Sequence, residues 1–152
     1  MNNYFIIGRV NEGKSHLFNL FSKDHRTISN PKANTTVDII RKEISNNEYK
    51  YYLYDTPGFF KLSEFKVLLD KILELKTNNL NFIYLSKNFT DEDLKICKYI
   101  YSLNFKVNFF SFKKSIFKNF ISNLFENIFI NSNDNFNNIK SYLQSKNTYP
   151  SK

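Results

Sequence analysis

The 152-residue chain has little cysteine, glycine, proline or alanine: one Cys, three Gly, three Pro, no Trp, and Ala33 as its single alanine. The lone Cys97 cannot close an internal disulfide, which points to a reducing compartment, the cytoplasm. His16 and His25 are the only histidines. Neither has a partner at metal-ligand or catalytic spacing, so a zinc site is not expected. No repeat and no linker-like stretch is visible. No apolar run approaches the ~20 residues that a membrane span requires, so none is expected. No signal peptide is expected either, because the informative residues begin almost at Met1.

Hydrophobic residues make up 41% and aromatics 18% of the chain, with a mean hydropathy of −0.47. That excludes intrinsic disorder and a membrane-embedded protein. The length suits one domain, which at this size buries close to ~70% of its unfolded surface. Lys and Arg number 22 against 14 Asp and Glu, giving +8. The balance favours polyanionic partners without naming one. Asn, Lys, Phe, Ile and Tyr are over-used, a mark of AT-rich codons, so part of the charge is compositional.

Apolar runs and helical periodicity alternate along the chain. Strands are expected over Asn3–Ile7, Val37–Ile44, Tyr49–Tyr54, Leu80–Leu85, Val107–Phe112 and Ile128–Ile130. Ser45-Asn46-Asn47-Glu48 supplies turn chemistry for a hairpin between the second and third strands. Helices are expected over Ser15–Ser22, Ser63–Leu75, from the Thr90 cap to about Ser102, Ser115–Leu124 and Asn137–Gln144. In the second of these, Phe65, Leu68, Leu69, Ile72 and Leu75 share one face. Thr90-Asp91-Glu92-Asp93 resembles a capping box. Cys97 falls on an apolar helical face and reads as core. Tyr51, Tyr52 and Tyr54 read as the two faces of a strand rather than an RNA-stacking surface. Such alternation with one early hairpin implies an α/β fold: a mostly parallel sheet with one antiparallel edge strand and helices on both faces. Residues 147–152 read as a frayed, disordered tail.

Gly8-Arg9-Val10-Asn11-Glu12-Gly13-Lys14-Ser15 matches G-x-x-x-x-G-K-S between a strand and a helix. Glycines let backbone N–H groups curl around phosphate oxygens, and the helix N-terminus adds partial positive charge. Lys14 should reach the terminal phosphates, and the Ser15 hydroxyl should ligate Mg²⁺. The backbone N–H of His16, in the first helical turn, can touch the α-phosphate. Glu12 places a carboxylate beside a polyanion and must turn toward solvent or a cation. Arg9 reads as a solvated neighbour. Asp55-Thr56-Pro57-Gly58 ends the third strand. There Asp55 can hold Mg²⁺ through a water, and the Gly58 N–H can face a γ-phosphate. Thr36, in the loop before the second strand, can complete the metal shell when that phosphate is present, which makes the loop a switch.

These residues, in this order, resemble the TrmE-Era-EngA group of translation-factor-class GTPases. The loop is similar to their G-R-P-N-V-G-K-S, Ser15-His16-Leu17-Phe18-Asn19 to S-T-L-F-N, and Lys32-Ala33-Asn34-Thr35-Thr36 to K-A-Q-T-T. Thr90 to Ile100 followed by Lys106 to Phe112 resembles the first G domain of EngA (Der). The likeness covers about residues 2–144, one minimal G domain without the family's KH-type additions. It implies a three-layer P-loop NTPase domain over residues 1–146, with a six-stranded sheet. It also implies slow, Mg²⁺-dependent GTP hydrolysis and a switch role in ribosome assembly, with a ribosomal subunit or rRNA as partner. Lys14, Thr36 and Gly58 would serve hydrolysis. Gly8, Asn11, Glu12, Gly13, Lys14, Ser15, His16, Asp55, Gly58, Lys113 and Ser132 would bind nucleotide, and Ser15, Thr36 and Asp55 the metal. Asn11 matches the asparagine associated with K⁺ in potassium-activated members.

Departures from the pattern bear on specificity. The family reads guanine with Asn-Lys-x-Asp. Phe112-Lys113-Lys114-Ser115 occupies that place, with Lys113 retained and Ser115 where the aspartate belongs. Loss of that acceptor should remove much of the guanine preference, about 1–3 kcal/mol. In the Ser-Ala-Lys motif only Ser132 matches. Phe59 is not such a departure: it stands where Ras-type GTPases place a water-orienting glutamine, but an apolar residue there is usual in the family it resembles, which implies slow hydrolysis without help. The competing reading is a degenerate, non-hydrolysing G domain kept as a ribosome or RNA interaction module.

Overall fold

The computed structural model describes residues 2–10, 12–22, 39–111, 123–130 and 135–150. Among the described residues, six strands and four helices follow one another: β1 (Asn3–Ile7), α1 (Lys14–Ser22), β2 (Ile40–Ser45), β3 (Lys50–Asp55), α2 (Leu62–Glu74), β4 (Leu80–Leu85), α3 (Asp91–Ser102), β5 (Lys106–Ser111), β6 (Asn127–Ile130) and α4 (Asn135–Lys146). They form one six-stranded sheet in the order β2-β3-β1-β4-β5-β6. Every neighbouring pair is parallel except β2 with β3, so β2 is the antiparallel edge. Asn46 closes the hairpin: its Oδ1 accepts from the Glu48 and Tyr49 N–H groups. This side-chain mimic of a turn is what the polar stretch foretold.

The inner strands β1, β4 and β5 are almost wholly buried, as a sheet covered on both faces requires. Successive side chains enter two separate cores. Phe5, Ile7, Phe82, Tyr84, Val107 and Phe109 meet α2 and α3 on one face, through Phe65, Leu69 and Ile72 and through Ile96, Cys97 and Ile100. Tyr4, Ile6, Ile83, Leu85 and Phe110 meet α1 and α4 on the other, through Leu17, Phe18 and Phe21 and through Ile139 and Leu143. The alternation of β1 therefore feeds both layers, and Phe5 stacks on Tyr54 at 4.0 Å between ring centroids.

Two expectations fail locally. Leu75 lies beyond the last turn of α2 as its C-cap and is 47% exposed; its apolar spacing outlasts the helix. The tail does not fray at Asn147. Asn147 donates to Tyr4 Oη and Leu143 O and accepts from Asn2, Thr148 bridges to Tyr49, and the Tyr149 N–H reaches Glu48 O. Polar residues that look like a solvated end thus satisfy the backbone at the β2–β3 hairpin. Residues 151 and 152 of the expected tail lie outside the described residues, as does most of the helix expected over Ser115–Leu124. Among the described residues, no helix is long and apolar enough to cross a membrane.

Candidate nucleotide site

The site forms at the C-terminal ends of β1 and β3, where the central strands open onto the first helix. Gly8 leaves β1 against the neighbouring strand: a Cβ there would stand 2.5 Å from Leu85 O. Gly13 has φ 92°, a left-handed conformation natural to glycine, and from it the chain enters α1. The Leu17 N–H bonds to Gly13 O, closing the first turn. The loop between them is held from the other side by the segment after β3. The Val10 N–H donates to Phe59 O, and Arg9 bridges Phe59 in parallel register. Thr56 Oγ1 donates to Ile6 O at 2.7 Å, which anchors the Asp55–Gly58 turn to the end of β1.

Lys14 therefore points into the space between loop and turn. Its Nζ would lie 3.0 Å from a Cβ built on Gly58, and the residue is 8% exposed. Burial lowers its pKa, against the pull of Asp55 and Glu12. Across from it, burial raises the Asp55 carboxyl, against Lys14, the Thr56 N–H, the Ser15 hydroxyl and Lys42. Asp55 Oδ1 is buried and meets no hydrogen-bond partner among the described residues. An orphaned carboxylate oxygen beside a serine hydroxyl at a phosphate loop fits a hard divalent cation such as Mg²⁺. Ser15 and His16 are exposed at the start of α1.

The Asp55 pKa is raised above the unfolded 3.8, so the ionised form destabilises the nucleotide-free fold. That penalty is complete above the folded pKa and vanishes as pH falls through it toward 3.8. Asp55→Asn is expected to raise the Tm of the nucleotide-free chain at pH 7 while reducing the Mg²⁺ dependence of nucleotide binding. Paired melts with and without Mg²⁺ and nucleotide check both halves.

The structure thus brings together Gly8, Glu12, Gly13, Lys14, Ser15, His16, Asp55 and Gly58. Asn11, Thr36, Lys113, Ser115 and Ser132 lie outside the described residues. Phe59 is buried among Phe65 and Tyr84, so its ring belongs to the core packed against α2 and α3.

Arg9 departs from its expected role as a solvated neighbour. Its Nε sits 3.0 Å from Asp93 Oδ1, and Nη2 3.6 Å from Glu12 Oε1. Asp93 is fully buried and also accepts from Tyr84 Oη at 2.6 Å and from the Thr90 N–H. Glu12 turns to a cation, as it must, but inward rather than to solvent. It is 7% exposed, and its Oε2 accepts from the Lys87 N–H. No spacing rule announces an Arg9–Asp93 pair 84 positions apart. The legible part was the capping box, in which the Thr90 hydroxyl caps the Asp93 N–H and Asp93 returns the bond.

Comparison with known proteins agrees with this architecture. GTPase Era of Caldanaerobacter subterraneus is 40% identical over 70 residues, 43% of this chain and 24% of that protein. GTPase Der of Mycoplasma mycoides is 36% identical over 104 residues, 63% of this chain and 24% of that protein. The tRNA modification GTPase MnmE of Borrelia recurrentis is 36% identical over 95 residues, 59% of this chain and 20% of that protein. The chain thus spans a quarter or less of the length of these relatives. Among solved structures, the cytosolic domain of the T. maritima FeoB iron transporter in a GDP form superposes with a TM-score of 0.69 at 16% identity. That match covers 96% of this chain and 63% of that one. The Arl6 small GTPase of Trypanosoma brucei, bound to GppNp, gives 0.56 at 13% identity, covering 95% and 96%. At such identities these two matches speak for the fold, a P-loop G domain. The family described as 50S ribosome-binding GTPase matches residues 3–113, a stretch that holds the whole phosphate loop and the Asp55–Gly58 turn, and the chain belongs to that family.

Proposed function

We propose that the chain is a slow, Mg²⁺-dependent GTPase acting in the cytoplasm as a switch in ribosome assembly, with a ribosomal subunit or rRNA as the partner that reads its state. The observation that carries the nucleotide part is the facing pair at the loop: buried Lys14 against Gly58, and Asp55 beside Ser15 with an Oδ1 that has no partner among the described residues. Gly8, Asn11, Glu12, Gly13, Lys14, Ser15 and His16 wrap the phosphates with main-chain N–H groups, and Lys14 offsets their charge. Lys113 and Ser132 flank the base. Ser15, Thr36 and Asp55 would hold Mg²⁺, which when bound neutralises charge on the phosphate oxygens. With Phe59 turned into the core, no side-chain base faces the nucleotide at that position. Lys14, Thr36 and Gly58 would serve hydrolysis, with the attacking water placed by backbone rather than by a side-chain base, so turnover should be slow. Asn11 supports K⁺ in the role of a charge-offsetting finger. The G domain extends over residues 1–146. The ribosomal part rests on the family's description, on the Era and Der relatives, and on the charge of +8.

Equilibrium competition among GTP, ATP and XTP with Mg²⁺ tests this reading. GTP should bind, and Lys14→Ala should weaken binding at least about a hundredfold. Equal affinity for GTP and ATP would mean that Ser115 has abolished base reading. Absence of any nucleotide binding by the wild-type chain would overturn the reading in favour of an interaction module without turnover. Equal hydrolysis rates in K⁺ and Na⁺ would remove the role given to Asn11.

A further inference from the structure

Two of the variable positions of the phosphate loop carry opposite charges, and neither faces freely into water. Arg9 and Glu12 pair with each other, and each also leaves the loop for a different partner. Arg9 takes the fully buried Asp93 at the start of α3, and Glu12 takes the Lys87 N–H in the β4–α3 connection. Asp93 is further fixed by Tyr84 Oη and the Thr90 N–H, so the guanidinium position is set by α3 and not by the loop alone. A carboxylate buried this close to a triphosphate site repels the ligand unless a cation offsets it.

We infer that Arg9 and Glu12 form a charge regulator of the phosphate site: Glu12 weakens nucleotide binding, and Arg9, held in place by Asp93, cancels most of that repulsion. This rests on the loop being the nucleotide site. Neither residue is a catalytic residue here; both act through the charge and the position of the loop.

The test exploits sign. If the pair merely props up the loop, Arg9→Met and Glu12→Gln both weaken binding. As a charge regulator they act in opposite directions. Mg·GTP affinity, measured by titration well below each variant's Tm, should fall about tenfold in Arg9→Met and rise several-fold in Glu12→Gln. Gln can still accept from the Lys87 N–H, so Glu12→Gln keeps the loop contact and remains informative if Arg9→Met does not fold. In the double variant Arg9→Met/Glu12→Gln, affinity should return to within about threefold of wild type. Unchanged or weaker binding by Glu12→Gln overturns the inference, and so does undiminished binding by a folded Arg9→Met. Wild-type protein serves as the separate arm: if it binds no Mg·GTP, the nucleotide reading itself fails and this inference falls with it.

Discussion

Replacing Gly8 by alanine is expected to abolish Mg·GTP binding and to destabilise the fold by about 3 kcal/mol. The added methyl would stand 2.5 Å from Leu85 O and 3.6 Å from Lys14 Cδ. A flexible side chain could move aside, but Leu85 O belongs to β4, which is paired in parallel with β1 on one side and with β5 on the other. Shifting that carbonyl disturbs two ladders at once. The alternative is to lift Gly8 away, which displaces the first residue of the phosphate loop and with it the path to Lys14. Urea denaturation and a nucleotide titration read the two effects separately. Ser63→Ala, an exposed change in α2, should stay within about 0.5 kcal/mol in the same experiment.

The second large effect is expected at Asp93, far from the loop in sequence. Asp93→Ala should cost about 3–5 kcal/mol of stability, the range for removing one member of a buried ion pair. The loss has three sources: the Arg9 guanidinium keeps only Glu12, the Tyr84 hydroxyl loses its acceptor, and α3 loses half of its capping box. The surface pair Lys95–Glu92, at 3.8 Å with Lys95 66% exposed, is the contrast: Lys95→Ala should change stability by less than about 1 kcal/mol. Equal effects at the two sites would mean that the buried network is not what holds α3 to the loop.

The strands, the hairpin and the phosphate loop were legible in the chain because each is a short-range property. Tyr4-Phe5-Ile6-Ile7 is uniformly apolar because β1 is buried on both faces, and the Thr90 cap announces α3 within four residues. The glycine, lysine and serine of the loop sit at fixed spacing because the backbone has to turn in one particular way. Leu75 shows where this fails: amphipathic spacing continues past the point where α2 ends, since periodicity carries no mark for the last turn. The end of the chain shows it again, for Asn147 and Tyr149 look like a solvated tail until the β2–β3 hairpin and Tyr4 are placed beside them.

By itself, then, the sequence determined the α/β architecture, the loop with Lys14 and Ser15, and the Asp55–Gly58 turn, all of them consequences of local backbone geometry and of periods of two and 3.6 residues. Only the tertiary structure decided where the charges go. Arg9 to Asp93, Glu12 to the Lys87 N–H, Thr56 to Ile6 and Phe59 into the core are pairings across the sheet. A charged or polar side chain in the interior has to find a partner wherever the fold provides one, and the distance along the chain to that partner follows no period.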